Sequence, residues 1–149
     1  MTKCEAVEET VIDGTGLILG RAASIIAKRL LNGERIVLVN SEKMVISGSK
    51  YHLIEDYKKK LEVRSLRSVE KNPQKPRRPD TLVRRVIRGM LPIKKFKGRQ
   101  AFKRLRVYIG VPEEYEGKQT ESIPEAHCSK LRCKYITVGD FLKHFGWRE

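Results

Sequence analysis

The chain has 149 residues, 40% hydrophobic and 34% charged, and its 32 Lys and Arg against 18 Asp and Glu leave a formal net charge of +14. That length suits one domain with a real core, no apolar run approaches the roughly 20 residues of a membrane span, and a field of this sign selects polyanionic partners. The acidic opening around Glu5, Glu8 and Glu9 has the wrong sign for a signal peptide, and Cys4, Cys128 and Cys133 lack the paired spacing of secreted disulfide scaffolds, so a cytoplasmic protein with free thiols is expected.

Residues 7–13 read as a strand, followed by Gly14-Thr15-Gly16 as a turn able to supply positive φ. A helix is predicted from Arg21 to about Leu31, where Ala22, Ile25, Ile26 and Leu30 recur at helical spacing, Lys28 faces water and Asn32-Gly33 provides a stop. Residues 36–39 form a continuous apolar run, as in a strand covered on both faces, and two strands joined through a helix imply a parallel pair. Residues 44–46 are a shorter run, a third strand or an edge. From Lys50, Leu53, Ile54, Tyr57 and Leu61 mark one side of a helix whose end is crowded by lysines, where the dipole favours cations.

Residues 64–80 hold Pro73, Pro76 and Pro79 among basic side chains and show neither helical nor strand period, which reads as an extended basic loop. Asp80 is the expected cap of the next helix, with Leu82, Val83, Val86, Ile87, Met90 and Leu91 on its apolar half and the arginines opposite. Pro92 ends it; residues 93–99 read as a second basic linker, 99–106 as a short helix and 107–111 as a last strand. Residues 112–134 are polar and broken by Gly117 and Pro124, an irregular excursion. Thr137, with Asp140 three residues on, opens a C-terminal helix whose apolar side is Phe141, Leu142 and Phe145. The expected fold is α/β in a single domain over residues 1–149, built on a mostly parallel sheet of about four strands with basic extended loops.

The charge is lopsided. Residues 1–49 carry 6 basic and 6 acidic side chains, residues 50–106 carry 20 and 5, and residues 107–149 carry 6 and 7. A chain made basic for solubility would spread its excess, so the middle is the candidate binding region. Its candidate phosphate contacts are Lys50, Lys58, Lys59 and Lys60 in the first basic helix, then Arg64, Arg67, Lys75, Arg77 and Arg78 in the proline loop. Arg84, Arg85 and Arg88 follow on the helix face, and Lys94, Lys95, Lys97, Arg99, Lys103 and Arg104 lie in the linker and short helix beyond. The competing reading is a solvated face with no ligand. Uncompensated charge, a one-sided arginine row and prolines that stiffen the loops favour phosphate. Arginine forks take phosphate oxygens bidentately, lysines act as point charges, and tyrosines or His52 would stack on an exposed base, contacts that read shape more than sequence.

Other chemistry has less support. Gly14-x-Gly16-x-x-x-Gly20 after a strand resembles a dinucleotide turn, but the second strand ends at Asn40 with only Glu42 near to hold a ribose, and Arg21-Ala22 replaces the Lys and Ser or Thr of a triphosphate loop. The plainer reading is a tight turn with close helix-to-strand contact. His52, His127 and His144 accompany no nucleophile motif, and His127-Cys128 with Cys133 lacks the second pair of a zinc site. No cofactor is expected; a nucleotide-binding enzyme and a general RNA or DNA chaperone remain the rival classes.

Val11-Ile12-Asp13 and the stretch from Gly16-Leu17-Ile18-Leu19-Gly20-Arg21 to Ala22-Ala23-Ser24 resemble the opening of the universal large-subunit ribosomal protein family thirteen. Residues 39–48, Arg88-Gly89-Met90-Leu91-Pro92 and residues 105–112 are similar to its later blocks, in order and across nearly the whole chain. Arg77-Arg78-Pro79-Asp80 and the tail through Phe145-Gly146-Trp147 resemble the archaeal branch, without the long C-terminal extension of eukaryotic members. The resemblance implies a three-layer α/β/α domain, contact with large-subunit rRNA and neighbouring ribosomal proteins, a place on the subunit's outer shell, a part in early assembly, and no catalysis.

Overall fold

The computed structural model describes residues 9–68 and 70–148, so Cys4 and the expected strand start at residues 7–8 lie outside it. In chain order the elements are β1 (Glu9–Asp13), α1 (Leu19–Asn32), β2 (Arg35–Val39), β3 (Val45–Ser47), α2 (Lys50–Glu62), α3 (Pro79–Met90), α4 (Phe96–Lys103), β4 (Leu105–Val107), β5 (Thr120–Glu121), β6 (Tyr135–Thr137) and α5 (Val138–Lys143).

The first three elements form the expected parallel unit, with Val11 opposite Val37 and Ile12 opposite Leu38. Helix α1 stops where Gly33 takes φ 109° and its N–H reaches back to Leu30 O. Strand β4 pairs in parallel on the far side of β2 and β5 on the far side of β1, giving the order β4-β2-β1-β5. Side chains alternate across this sheet as its pleat demands. Ile12, Ile36 and Leu38 enter the main core with α1, α3 and Ala101 of α4, while Val11, Val37 and Val39 face the other way onto Tyr115 and Tyr108. The result is a three-layer α/β architecture whose layer beyond Val37 is a turn, Glu113–Tyr115.

Several expectations change in detail. The run at residues 44–46 becomes β3, which pairs antiparallel with β6 in a second, two-stranded sheet. The last strand of the main sheet comes from within the 112–134 excursion, as two residues of β5. Residues 107–111 are not the strand: β4 starts earlier, because Leu105 is the buried residue facing the helical core and pairs with Ile36. After it, Tyr108 N–H still donates to Leu38 O, and the carbonyls of Tyr108 and of Gly110, at φ 65°, accept from Ser41 and Asn40 N–H outside the regular strand pairing. The short helix, expected over 99–106, begins earlier, at Phe96, and ends at Lys103, so Lys97 is helical and not in a linker. Asp80 is not the cap of α3: extended Arg78 is, and Pro79 occupies the first turn, where its fixed φ fits and its missing N–H costs nothing.

Met90 is 43% exposed and outside the core, whereas Leu91 is 6% exposed and inside it. At the C-terminus the capping reading holds, with Asp140 N–H donating to Thr137 Oγ1 at 3.2 Å and Phe141, Leu142 and Phe145 buried.

Candidate nucleic-acid interface

In the glycine turn after β1 the amides of residues 14–18 already have partners. Gly14 N–H donates to Val39 O at 2.9 Å, Gly16 to Lys43 O at 3.2 Å, Leu17 to Gly14 O at 3.1 Å and Ile18 to Ala126 O at 2.7 Å. Thr15 N–H goes to Asp13 Oδ1 at 3.0 Å. A Cβ on Gly14 would stand 2.9 Å from Val39 O, and Gly16 sits at φ 69°, so these two glycines serve close packing and a tight turn. Gly20 meets nothing within 4 Å and has no such role. Asp13 is bound by the Asn40 amide at 2.9 Å. Burial of its carboxyl would push the pKa up, but the Asn40 and Thr15 hydrogen bonds together outweigh it and hold the group below the ordinary carboxylate value.

The proline loop between α2 and α3 has no regular structure but is tied down. Tyr57 Oη donates to Pro76 O, an Arg85 N–H donates to Gln74 O, and Ser65 N–H donates to Asn72 Oδ1 at 2.5 Å. Pro76 and Pro79 are buried. Tyr57 also stacks obliquely on Phe145 at 4.8 Å and edge-on to Phe141, which joins the loop to the core through α2. Burial pushes the Tyr57 phenol up, against the pull of Arg85 and Arg77, so it stays a neutral donor at neutral pH.

All the candidate cations are exposed except Lys75 and Arg104, which are half-buried. Arg64, Lys75, Arg77, Arg78 and Arg85 line one hollow of about 600 Å³. Lys75 and Arg85 also line a second hollow, with Arg88, Lys94 and Lys95. No carboxylate lines either one, although Arg78 pairs with Asp80 at 3.2 Å. The three basic segments read separately along the chain therefore meet, with Arg85 between the hollows.

The rest are dispersed. Lys103 and Arg104 line a separate hollow with Arg35 and Arg106 at the β2–β4 side of the sheet, and Lys50 another with Lys143. Lys58, Lys59, Lys60, Arg67, Arg84, Lys97 and Arg99 line none of these hollows. Lys59 pairs with Glu55 at 3.0 Å, and Arg84 lies 4.8 Å from the centre of the Phe102 ring. His52 is exposed and meets Tyr51 edge to face. Arg35 and Lys143 lie outside the basic middle and were not legible as site residues. The parallel pairing of β2 with β4 brings Arg35 near Arg106.

Cys128 and Cys133 are free thiols. Among the described residues no group of three or more His, Cys, Asp or Glu could hold a metal ion, and no helix is long and apolar enough to cross a membrane.

Residues 8–114 match the family model for Ribosomal protein L13. Relatives named large ribosomal subunit protein uL13 include that of Archaeoglobus fulgidus, 50% identical over 141 residues that cover 93% of this chain and 88% of the relative. Those of Aeropyrum pernix and Saccharolobus solfataricus are 45% and 44% identical, with coverage of 94% and 92% of this chain and 91% and 92% of theirs. The chain belongs to the ribosomal protein L13 family, of archaeal type, a family of structural and non-catalytic components of the large ribosomal subunit.

Proposed function

We propose that this protein is one domain that binds folded large-subunit rRNA in the cytoplasm, beside neighbouring ribosomal proteins, and supports early assembly of the subunit. The observation that carries the reading is the pair of adjoining hollows joined at Lys75 and Arg85, basic and free of carboxylates, set on a loop already held by Tyr57, Asn72 and Arg85. A preordered cationic surface loses little entropy on binding, and its arginine forks suit phosphate oxygens. The basic positions on α2, α4 and the residues after it lie outside these two hollows and are assigned to phosphates farther along the RNA.

Arg77 and Arg88 are the residues to test, since both are exposed and neither has a hydrogen-bond or ion-pair partner among the described residues. Arg77→Ala with Arg88→Ala is expected to weaken binding to large-subunit rRNA and to reduce the slope of log affinity against log salt by about 1 per lost phosphate contact. A filter-binding titration with unchanged affinity and slope would contradict the assignment.

A further inference from the structure

The second hollow differs from the first in its apolar lining. Its volume is about 730 Å³, and beside the cations Lys75, Arg85, Arg88, Lys94 and Lys95 it is lined by Leu91, Ile93 and two exposed prolines, Pro73 and Pro92. Leu91 is buried and Ile93 half-buried. The wall is rigid: Ile93 N–H donates to Leu91 O at 2.8 Å and Lys95 N–H to Pro92 O at 2.9 Å. Gly98 of α4 packs so tightly under Pro92 that a Cβ there would overlap its carbonyl.

Gly89, also in the lining, is the second observation. It lies in the last turn of α3, where glycine is unfavourable. It has no positive φ, and a Cβ built on it meets nothing within 4 Å. Neither backbone conformation nor packing accounts for it, and any side chain at this position would extend from the lining of the hollow.

An apolar lining beside five cations suits a group that is flat and weakly polar yet joined on both sides to anions. An unstacked nucleotide has that form, with a π-faced base and a phosphate before and after it. A purely apolar partner would leave these cations desolvated without counter-charge. Resting on the RNA reading above, we propose that this hollow receives one extruded nucleobase of the bound rRNA, against Leu91, Ile93 and the two proline rings, with the flanking phosphates on the cations. Gln74, also in the lining, carries the amide donor and acceptor that would meet the base edge.

The test is Gly89→Leu in the full chain, which extends a side chain from the lining and leaves every cation in place. Leucine favours a helix more than glycine, so the variant is expected to melt no lower than wild type. Gly89→Met, unbranched and adaptable, is the second variant. Each is bound to transcribed large-subunit rRNA and probed with dimethyl sulfate and a carbodiimide for base exposure, and with hydroxyl radical for the backbone. Wild type is expected to protect one or more unpaired bases within its backbone footprint. Both variants are expected to restore reactivity at one of those bases, keep the backbone footprint and bind about tenfold more weakly, in the range of one lost stacked base. A base pattern identical in wild type and variants, with the footprint kept, overturns the base pocket and leaves the hollow to a protein neighbour. Loss of base and backbone protection already in the wild-type complex overturns the RNA reading itself, and the pocket with it.

Discussion

Leu91 follows the last residue of α3 in an extended conformation, φ −96° and ψ 145°, and this turn of the chain returns its side chain to the core. Leu91→Ala is expected to cost about 2–5 kcal/mol in a urea melt, and Met90→Ala less than about 0.5 kcal/mol. Equal losses from the two would contradict the assignment of one to the core and one to the surface. A helical wheel places both on the apolar half; Leu91 is buried although it has left the helix, and Met90, the last residue of α3, is the one that faces out. Asp13 supplies a pH dependence. Its carboxyl titrates below the ordinary value in the folded protein, so its contribution is complete above about pH 4–5 and is lost as the pH falls through the ordinary value toward the folded one. Asp13→Asn is expected to lower the urea midpoint at pH 6, with the gap to wild type closing as the pH drops below about 4. A gap constant from pH 6 to pH 2 would show that the charge of Asp13 contributes nothing.

The elements that position the candidate interface are the proline loop, α3, α4 and the turn between the two helices. Arg84 lies over Phe102 and so braces α3 against α4, a contact invisible to a reading that placed all three arginines on a free face. Arg84→Ala is therefore expected to lower stability by about 0.5–1 kcal/mol, whereas Arg88→Ala leaves it unchanged; thermal melts of the two variants decide this. Gly98→Ala, by the overlap with the Pro92 carbonyl, must displace α4 or the 91–95 turn and is expected to cost about 1–3 kcal/mol. A wild-type melting temperature for that variant would mean that the turn yields freely. The periodic elements α1, β2 and α2 were legible because each packs an apolar stripe or face on the core, only half-buried in α2, that its own residues announce. Strands β4 and β5 were not, since three and two residues carry too little pattern and owe their conformation to pairing with Ile36 and Val11. The start of α4 was equally hidden, because it depends on a backbone contact across the turn and not on apolar spacing.

At the scale of the whole molecule, the excess charge of residues 50–106 is not spread evenly over a surface. Two hollows gather cations from the proline loop, α3 and the following turn, while Lys103 and Arg104 join Arg35 and Arg106 elsewhere. The basic middle was legible from charge counting alone; its division was not, since that follows from the sheet order and from the loop folding back onto α3. Such an arrangement fits a folded polyanion, whose phosphates are themselves held in a fixed pattern, and contacts of this kind set position and read shape. The direct test is a salt series with intact large-subunit rRNA beside an unstructured RNA of equal length. With about 6–10 phosphate contacts, affinity for both is expected to fall by about 10³–10⁵ between 50 and 200 mM salt on the scale set by duplex DNA, while the folded rRNA keeps its advantage throughout. Equal affinity for the two RNAs at every salt concentration would contradict recognition of folded rRNA and leave only a general attraction between opposite charges.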